Sequence, residues 1–319
     1  MTPQKPLWPE SSRTFLTNPW AVLGIGVLLL FALLLLFSFV LLLGIEASVF
    51  SKTIAVIPVK GEIASGASGL SEWFSAEELA EQIKKADEDD RIGAIVLDID
   101  SPGGTIVATK QVVYQVRKTS KPVVSYIGEV GASGGYYVAA ASNYIIADED
   151  SITASIGVIS MYPDINGLLD KLGIKMNILT EGKNKAIGNP FSEPTEEQRQ
   201  ILQSLLSEAF SHFKRDILDY RKNKLDPVRF EEIADGRIMS GTQAKDAGLI
   251  DELGTRQDAI DKAAELAGIQ GTPLVEYIRR PQLTLIDLFA NAGYSFGSGF
   301  QQSLIANGGS KTPTVSVSH

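Results

Sequence analysis

Apolar and polar positions along the chain fall into three regimes. Residues 21–45 run for roughly 25 positions without a charge, long enough for a helix to cross a hydrocarbon core of about 30 Å. Trp20 stands at the entrance as an interfacial anchor. A cleavable signal peptide is the competing reading, but its apolar region usually spans only about 7–15 residues, so an uncleaved anchor over 20–45 is expected. The second regime is short β-branched runs at 53–59, 94–99, 122–127, 144–147 and 176–179, which predict strands. The third has helical periodicity: 76–87, 105–118, the run at 136–141, and a long helix over 195–222 after Pro194. That long helix carries Ile201, Leu202, Leu205, Leu206, Phe213, Ile217 and Tyr220 on one broad face, with His212 at its margin. A histidine there reads as a partly buried structural residue. Ser240-Gly241-Thr242 opens a short helix, and a last one covers about 255–267.

Strands alternating with helices at this spacing predict an α/β fold with a largely parallel sheet. The expected organisation is a polar tail over 1–19, the anchor over 20–45, one folded domain over 53–280 and a C-terminal segment over 281–319. That last segment keeps Leu285, Ile286, Leu288 and Phe289 for docking on a neighbour, and disorder is expected beyond Asn307. Lys5 and Arg13 precede the apolar span and Lys52 follows it, with Glu46 between. This bias puts the N-terminus in the cytoplasm and the folded domain outside.

Composition narrows the chemistry. The 319 residues contain no cysteine, which excludes disulfides, thiolate zinc sites and a cysteine nucleophile. Formal net charge is −9 with no lysine- or arginine-rich block, so nucleic acid is not an expected partner. The only histidines are His212 and His319, and a Ser-His-Asp triad would have to use one of them.

Gly131-Ala132-Ser133-Gly134-Gly135-Tyr136-Tyr137 places Ser133 where a strand hands over to a helix. Flanking glycines open dihedrals closed to other residues and let a substrate backbone approach. Helix-terminal amides favour developing negative charge. Small residues at such a turn also serve as a plain packing device. A serine without histidine needs another base, and lysine is the residue whose pKa yields most readily to burial; a free value near 10.4 must fall by about 2–3 units. Residues 181–190 supply Lys183 and Lys185 among glycines, a segment that by itself reads as a solvated loop.

Gly103-Gly104 after a strand, Ala132-Ser133-Gly134-Gly135-Tyr136-Tyr137, Thr153-Ala154-Ser155-Ile156-Gly157-Val158-Ile159 and Gly182-Lys183-Asn184-Lys185-Ala186-Ile187-Gly188 together resemble the signal peptide peptidase A family of serine proteases. The later run Ala234-Asp235-Gly236-Arg237, Gly241, Ala244 and Gly248-Leu249-Ile250-Asp251 is similar to its C-terminal signature. The likeness covers roughly residues 54–268 and the short, single-copy form. It implies a ClpP/crotonase-like fold of repeated ββα units, Ser133 as nucleophile and Lys185 as general base. Ser155 would aim the lysine, and the Gly104 and Gly134 amides would bind the oxyanion. It also implies no cofactor or metal, peptide substrates such as cleaved signal peptides, and a homo-oligomeric ring in which nucleophile and base come from neighbouring protomers. Lys185-Ala186 stands where the family often has Lys-Asp, and Glu181 replaces a commoner small residue, departures that leave the dyad intact; Lys183 is a second candidate base, since alternate residues of an extended segment share a face.

Three other readings remain open: a catalytically silent scaffold or peptide-binding ring, an acyl-CoA-binding enzyme on the crotonase fold, and a membrane protease that cuts one specific partner protein.

Overall fold

A computed structural model describes residues 19–49, 52–66 and 74–278. The expectations for the N-terminal tail and for 281–319 lie outside the described residues. Helix α1 (Pro19–Val49) contains the one candidate span among the described residues, Val22–Val40, with a mean hydropathy of 2.9. It is long and apolar enough to cross a membrane.

The remaining elements follow in the order β1 (Thr53–Ala64), β2 (Phe74–Ser75), α2 (Ala76–Glu88), β3 (Ile92–Gly104), α3 (Ile106–Lys118), β4 (Val123–Ala132), α4 (Gly134–Ala140), β5 (Tyr144–Ala147) and β6 (Ile152–Ala154). Then come α5 (Asn166–Leu172), α6 (Glu196–Tyr220), α7 (Pro227–Ile233), β7 (Ile238–Ser240), α8 (Gly241–Asp246), β8 (Glu252–Leu253), α9 (Arg256–Leu266) and β9 (Leu274–Tyr277). The sheet runs β2-β1-β3-β4-β5-β8, parallel throughout, with β9 added in parallel to β1. Strand β6 pairs with the far end of β4, and β7 lies antiparallel to β6.

Period-two alternation decides which residues meet which layer. On one face Ala55, Ile57, Ile95, Leu97, Ile99 and Ile127 pack under α2, α3 and α4. On the other, Ile54, Val56, Ala94, Val96, Val124 and Ile146 pack under α9. With both faces covered, the strands read as continuous apolar runs. Repeated strand-helix units on a mostly parallel sheet make this an α/β fold, as the sequence predicted. Helix starts are written locally: Ser75 caps α2, and Thr195, Ser240 and Thr255 each close a reciprocal capping box at α6, α8 and α9.

Two sequence expectations change. No strand forms over 176–179, because no sheet edge among the described residues takes it up and an unpaired extended segment cannot satisfy its own amides. Leu179 there is 98% exposed. Along α6 the broad apolar face is only partly used: Phe213 and Ile217 are buried, whereas Leu205, towards the N-terminal end, is exposed.

The C-terminal end of α6 is fixed by a buried ion pair. Arg221 donates to Asp251 at 2.8 and 3.1 Å, and the same carboxylate pairs with Lys224 at 2.6 Å and accepts the Ile145 amide at 2.8 Å. Helix, β5 and the approach to β8 thus share one anion. Burial alone would raise the Asp251 carboxyl, but Arg221, Lys224 and the Ile145 amide outweigh it and hold it below the usual carboxylate range. A depressed folded-state pKa contributes stability that is complete above the unfolded value of about 3.9 and is lost as pH falls through the lower, folded value. Acid unfolding followed by circular dichroism is therefore expected to show a steep loss of stability below about pH 4, and Asp251→Asn a flatter profile. Arg221→Ala, which strands the buried carboxylate, is expected to cost about 3–5 kcal/mol at neutral pH.

Candidate active site

Strand β3 does not stop at its apolar stretch but runs on through Ser101-Pro102-Gly103-Gly104. Ser101 is fully buried; its hydroxyl donates to the Gly61 carbonyl at 2.6 Å and accepts the Gly103 amide at 3.1 Å, pinning this end of β3 to β1. The start of α4 then packs on β3 backbone to backbone. A β-carbon on Gly104 would lie 1.8 Å from the Ile63 carbonyl oxygen, one on Gly103 2.6 Å from the Gly134 nitrogen, and one on Gly135 2.5 Å from the Ser101 carbonyl oxygen. No side chain fits at any of these points.

Ser133 stands in the single residue between β4 and α4, with φ 51° and ψ −117°. For a non-glycine residue that conformation costs about 1–3 kcal/mol and persists only where the surroundings impose it. Here its amide donates to the Ala154 carbonyl at 2.8 Å, and its carbonyl accepts the Tyr137 amide at 2.9 Å in the first turn of α4. The next strand repeats the device: Ala154 and Ser155 both have positive φ, and the Ser155 amide donates to the Arg237 carbonyl at 2.9 Å. The Ser155 hydroxyl has only a long contact, 3.5 Å, to the Gly236 carbonyl.

These pieces open onto a cavity of about 350 Å³ whose wall includes Ser133, Gly104, Gly134 and Ser155. Ile106, Val158, Ile159 and Phe213 make much of the rest apolar. Tyr137 joins them, its ring 4.6 Å from that of Phe213, while its hydroxyl donates to Asp216. Burial, and then that hydrogen bond, push the Tyr137 phenol well up, so it stays neutral. Among the described residues no cluster suited to a metal ion occurs.

Four of the five residues singled out in the sequence therefore share one cavity wall. Lys185 does not join them within its own chain: it lies in an exposed turn, its amide bonded to the Gly182 carbonyl at 3.0 Å. Lys183 is turned away to an ion pair with Glu197, whose carboxylate Asn184 also holds at 3.1 Å. The cavity also contains residues with no role expected from the sequence, Thr109, Lys110 and Tyr137, and it includes His212, for which the sequence predicted a structural place. The spacing of Ala209, His212 and Phe213 on α6 carried this signal, since positions three and four apart share a helix face. Thr109 and Lys110 follow Gly103-Gly104 by one helical turn, but no pattern in the chain marks them.

The sequence model of the family described as Peptidase family S49 matches residues 115–270. A designated protease of Methanocaldococcus jannaschii is 36% identical over 220 residues, 68% of this chain and 70% of that one. A protein of Enterococcus faecium named for signal peptide peptidase SppA is 32% identical over 239 residues, 73% of this chain and 69% of that one. The chloroplastic serine protease SPPA of Arabidopsis thaliana is 32% identical over 251 residues, 76% of this chain and 37% of its own length. On that likeness, the chain belongs to the S49 peptidase family, the SppA group, and is a serine protease.

Proposed function

We propose that this protein is a membrane-anchored endopeptidase that degrades cleaved signal peptides and other membrane-derived peptides, with Ser133 as nucleophile and Lys185 of a neighbouring copy as general base. The observation that carries this reading is the placement of Ser133: strained, at the N-terminus of α4, in the wall of a largely apolar cavity beside Gly104 and Gly134. The Ser133 hydroxyl attacks the scissile carbonyl while the lysine amine takes its proton, and the acyl-enzyme is then released by water. Ser155 holds the amine through its hydroxyl. The Gly104 and Gly134 amides stabilise the oxyanion. Ile106, Val158, Ile159 and Phe213 favour an apolar substrate side chain.

The assembly across copies is supported by what the isolated chain leaves exposed. Ile159, Met161, Leu168, Leu172, Ile174, Met176 and Leu179 form an exposed apolar series that leads towards Lys185. A lysine acts as a base only where water is withdrawn from its amine, and a neighbour laid over this segment supplies that burial. Residues 53–280 form the protease domain, α1 is the anchor, and the charge bias around it sets the domain on the extracytoplasmic side. A second reading, favoured by Lys110 in the same cavity wall, keeps the base within one chain.

In hydrolysis of a fluorogenic peptide with an apolar P1 residue by the detergent-purified full chain, Ser133→Ala and Lys185→Ala are each expected to lose activity by about a thousandfold or more. Mixing the two variants restores part of it, and Lys110→Ala retains most of it. Loss in Lys110→Ala with full activity in Lys185→Ala moves the base into the same chain, and no wild-type activity on any such peptide favours the silent scaffold. Ser133→Gly is expected to be inactive yet more stable: relief of about 1–3 kcal/mol of strain, less the extra unfolded-state freedom of glycine, leaves a Tm higher by about 2–4 °C.

A further inference from the structure

We propose that the Thr109 hydroxyl is a third hydrogen-bond donor to the oxyanion, alongside the Gly104 and Gly134 amides. The proposal rests on the reading of Ser133 as nucleophile. Thr109 is only 2% exposed, and its Oγ1 has no hydrogen-bond partner among the described residues. A helical threonine ordinarily returns its hydroxyl to the carbonyl one turn back; here the Thr105 carbonyl takes only the Thr109 amide, at 3.0 Å. The unpaired hydroxyl packs beside the Gly134 backbone, next to the Gly104 amide. Thr109 Oγ1 and the Gly104 nitrogen lie 2.7 and 3.1 Å from one common point, the position a β-carbon on Gly134 would occupy. Thr109, Gly104, Gly134 and Ser133 all line the same cavity.

A buried hydroxyl without a partner is unfavourable, and such groups call for an explanation in a ligand, a water or a catalytic role. The amide of the nucleophile itself is already committed to the Ala154 carbonyl at 2.8 Å. It is thus withheld from the oxyanion, although in trypsin-like serine proteases the corresponding amide is a donor. Thr109 fills that place. As the bond from Ser133 Oγ to the carbonyl carbon forms, the serine proton passes to the lysine amine and the carbonyl π pair moves onto oxygen. The Thr109 hydroxyl and the glycine amides hold that charge. The pair then returns, the C–N bond breaks, and the amine leaves with the proton from lysine.

The test compares Thr109→Val, Thr109→Ser and Thr109→Ala with wild type and Ser133→Ala, reading kcat, KM, the rate of covalent capture by a fluorophosphonate, and Tm. Thr109→Val is expected to match or exceed the wild-type Tm, because the lost hydroxyl had no partner. Its kcat and capture rate fall about 10- to 100-fold with KM little changed, and Thr109→Ser restores both. A Thr109→Val variant that keeps wild-type kcat, beside an inactive Ser133→Ala, overturns this proposal alone. Retained hydrolysis by Ser133→Ala overturns the nucleophile assignment and this proposal with it. Should Thr109→Val fail to fold, the serine and alanine variants decide: equal kcat overturns the proposal, and activity kept only by serine supports it.

Discussion

Contact between bare backbones governs this structure. Where α4 starts, the end of β3 lies so close that the missing β-carbons of Gly103 and Gly135 define the available space, while that of Gly104 lets β3 close on Ile63 of β1. That proximity forces the chain at Ser133 into a conformation which serine would not choose alone. It also brings the amides of the two segments towards one another, something no pair of side-chain-bearing residues could do. The buried Ser101 hydroxyl keeps β3 from retreating, and α3 starts directly after the glycine pair. A tight packing junction and a candidate catalytic turn are thus one feature.

The second constraint is that the chain leaves unfinished business at its surface. A domain of this size normally buries its long aliphatic side chains, yet Leu179 and Met161 are exposed at 98% and 85%. Helix α6 stands partly clear of the core, held at its C-terminal end by Phe213, Ile217 and the Arg221–Asp251 pair. The rigid part carries the strained serine, and the uncovered part carries the lysine pair. In the proposed assembly these two halves meet only when copies come together, which confines the complete site to the assembled state.

Much of the sheet was legible because its code is local. The β-branched apolar runs over 53–59 and 94–99 mark strands buried on both faces, and the capping residues Ser75, Thr195, Ser240 and Thr255 mark helix starts to within a residue. The turn at Ser133 was legible as a strand-to-helix junction, but three glycines around one serine serve packing as well, and the nucleophile role came only with the family resemblance. The run 176–179 misled because β-branched and apolar character states a preference for pairing, not the presence of a partner. The wall formed by Thr109, Lys110 and Tyr137, with His212 and Phe213, was not legible, since it arises where α3, α4 and α6 converge. Strand β9 was missed for a related reason: Leu274–Tyr277 is short, largely exposed, and becomes a strand only through the open edge of β1.

The turn that holds Ser133 is closed by residues that come much later in the chain. Tyr136, three positions beyond the serine, donates its hydroxyl to the carbonyl of Leu249 at 2.8 Å, 113 residues further on. Ser155 is braced by Arg237, and β5 is tied to Asp251. During synthesis the serine therefore emerges from the ribosome long before its surroundings exist. Until Leu249, Arg237 and Asp251 are in place the turn lacks these braces, so the geometry at Ser133 depends on completion of the whole domain.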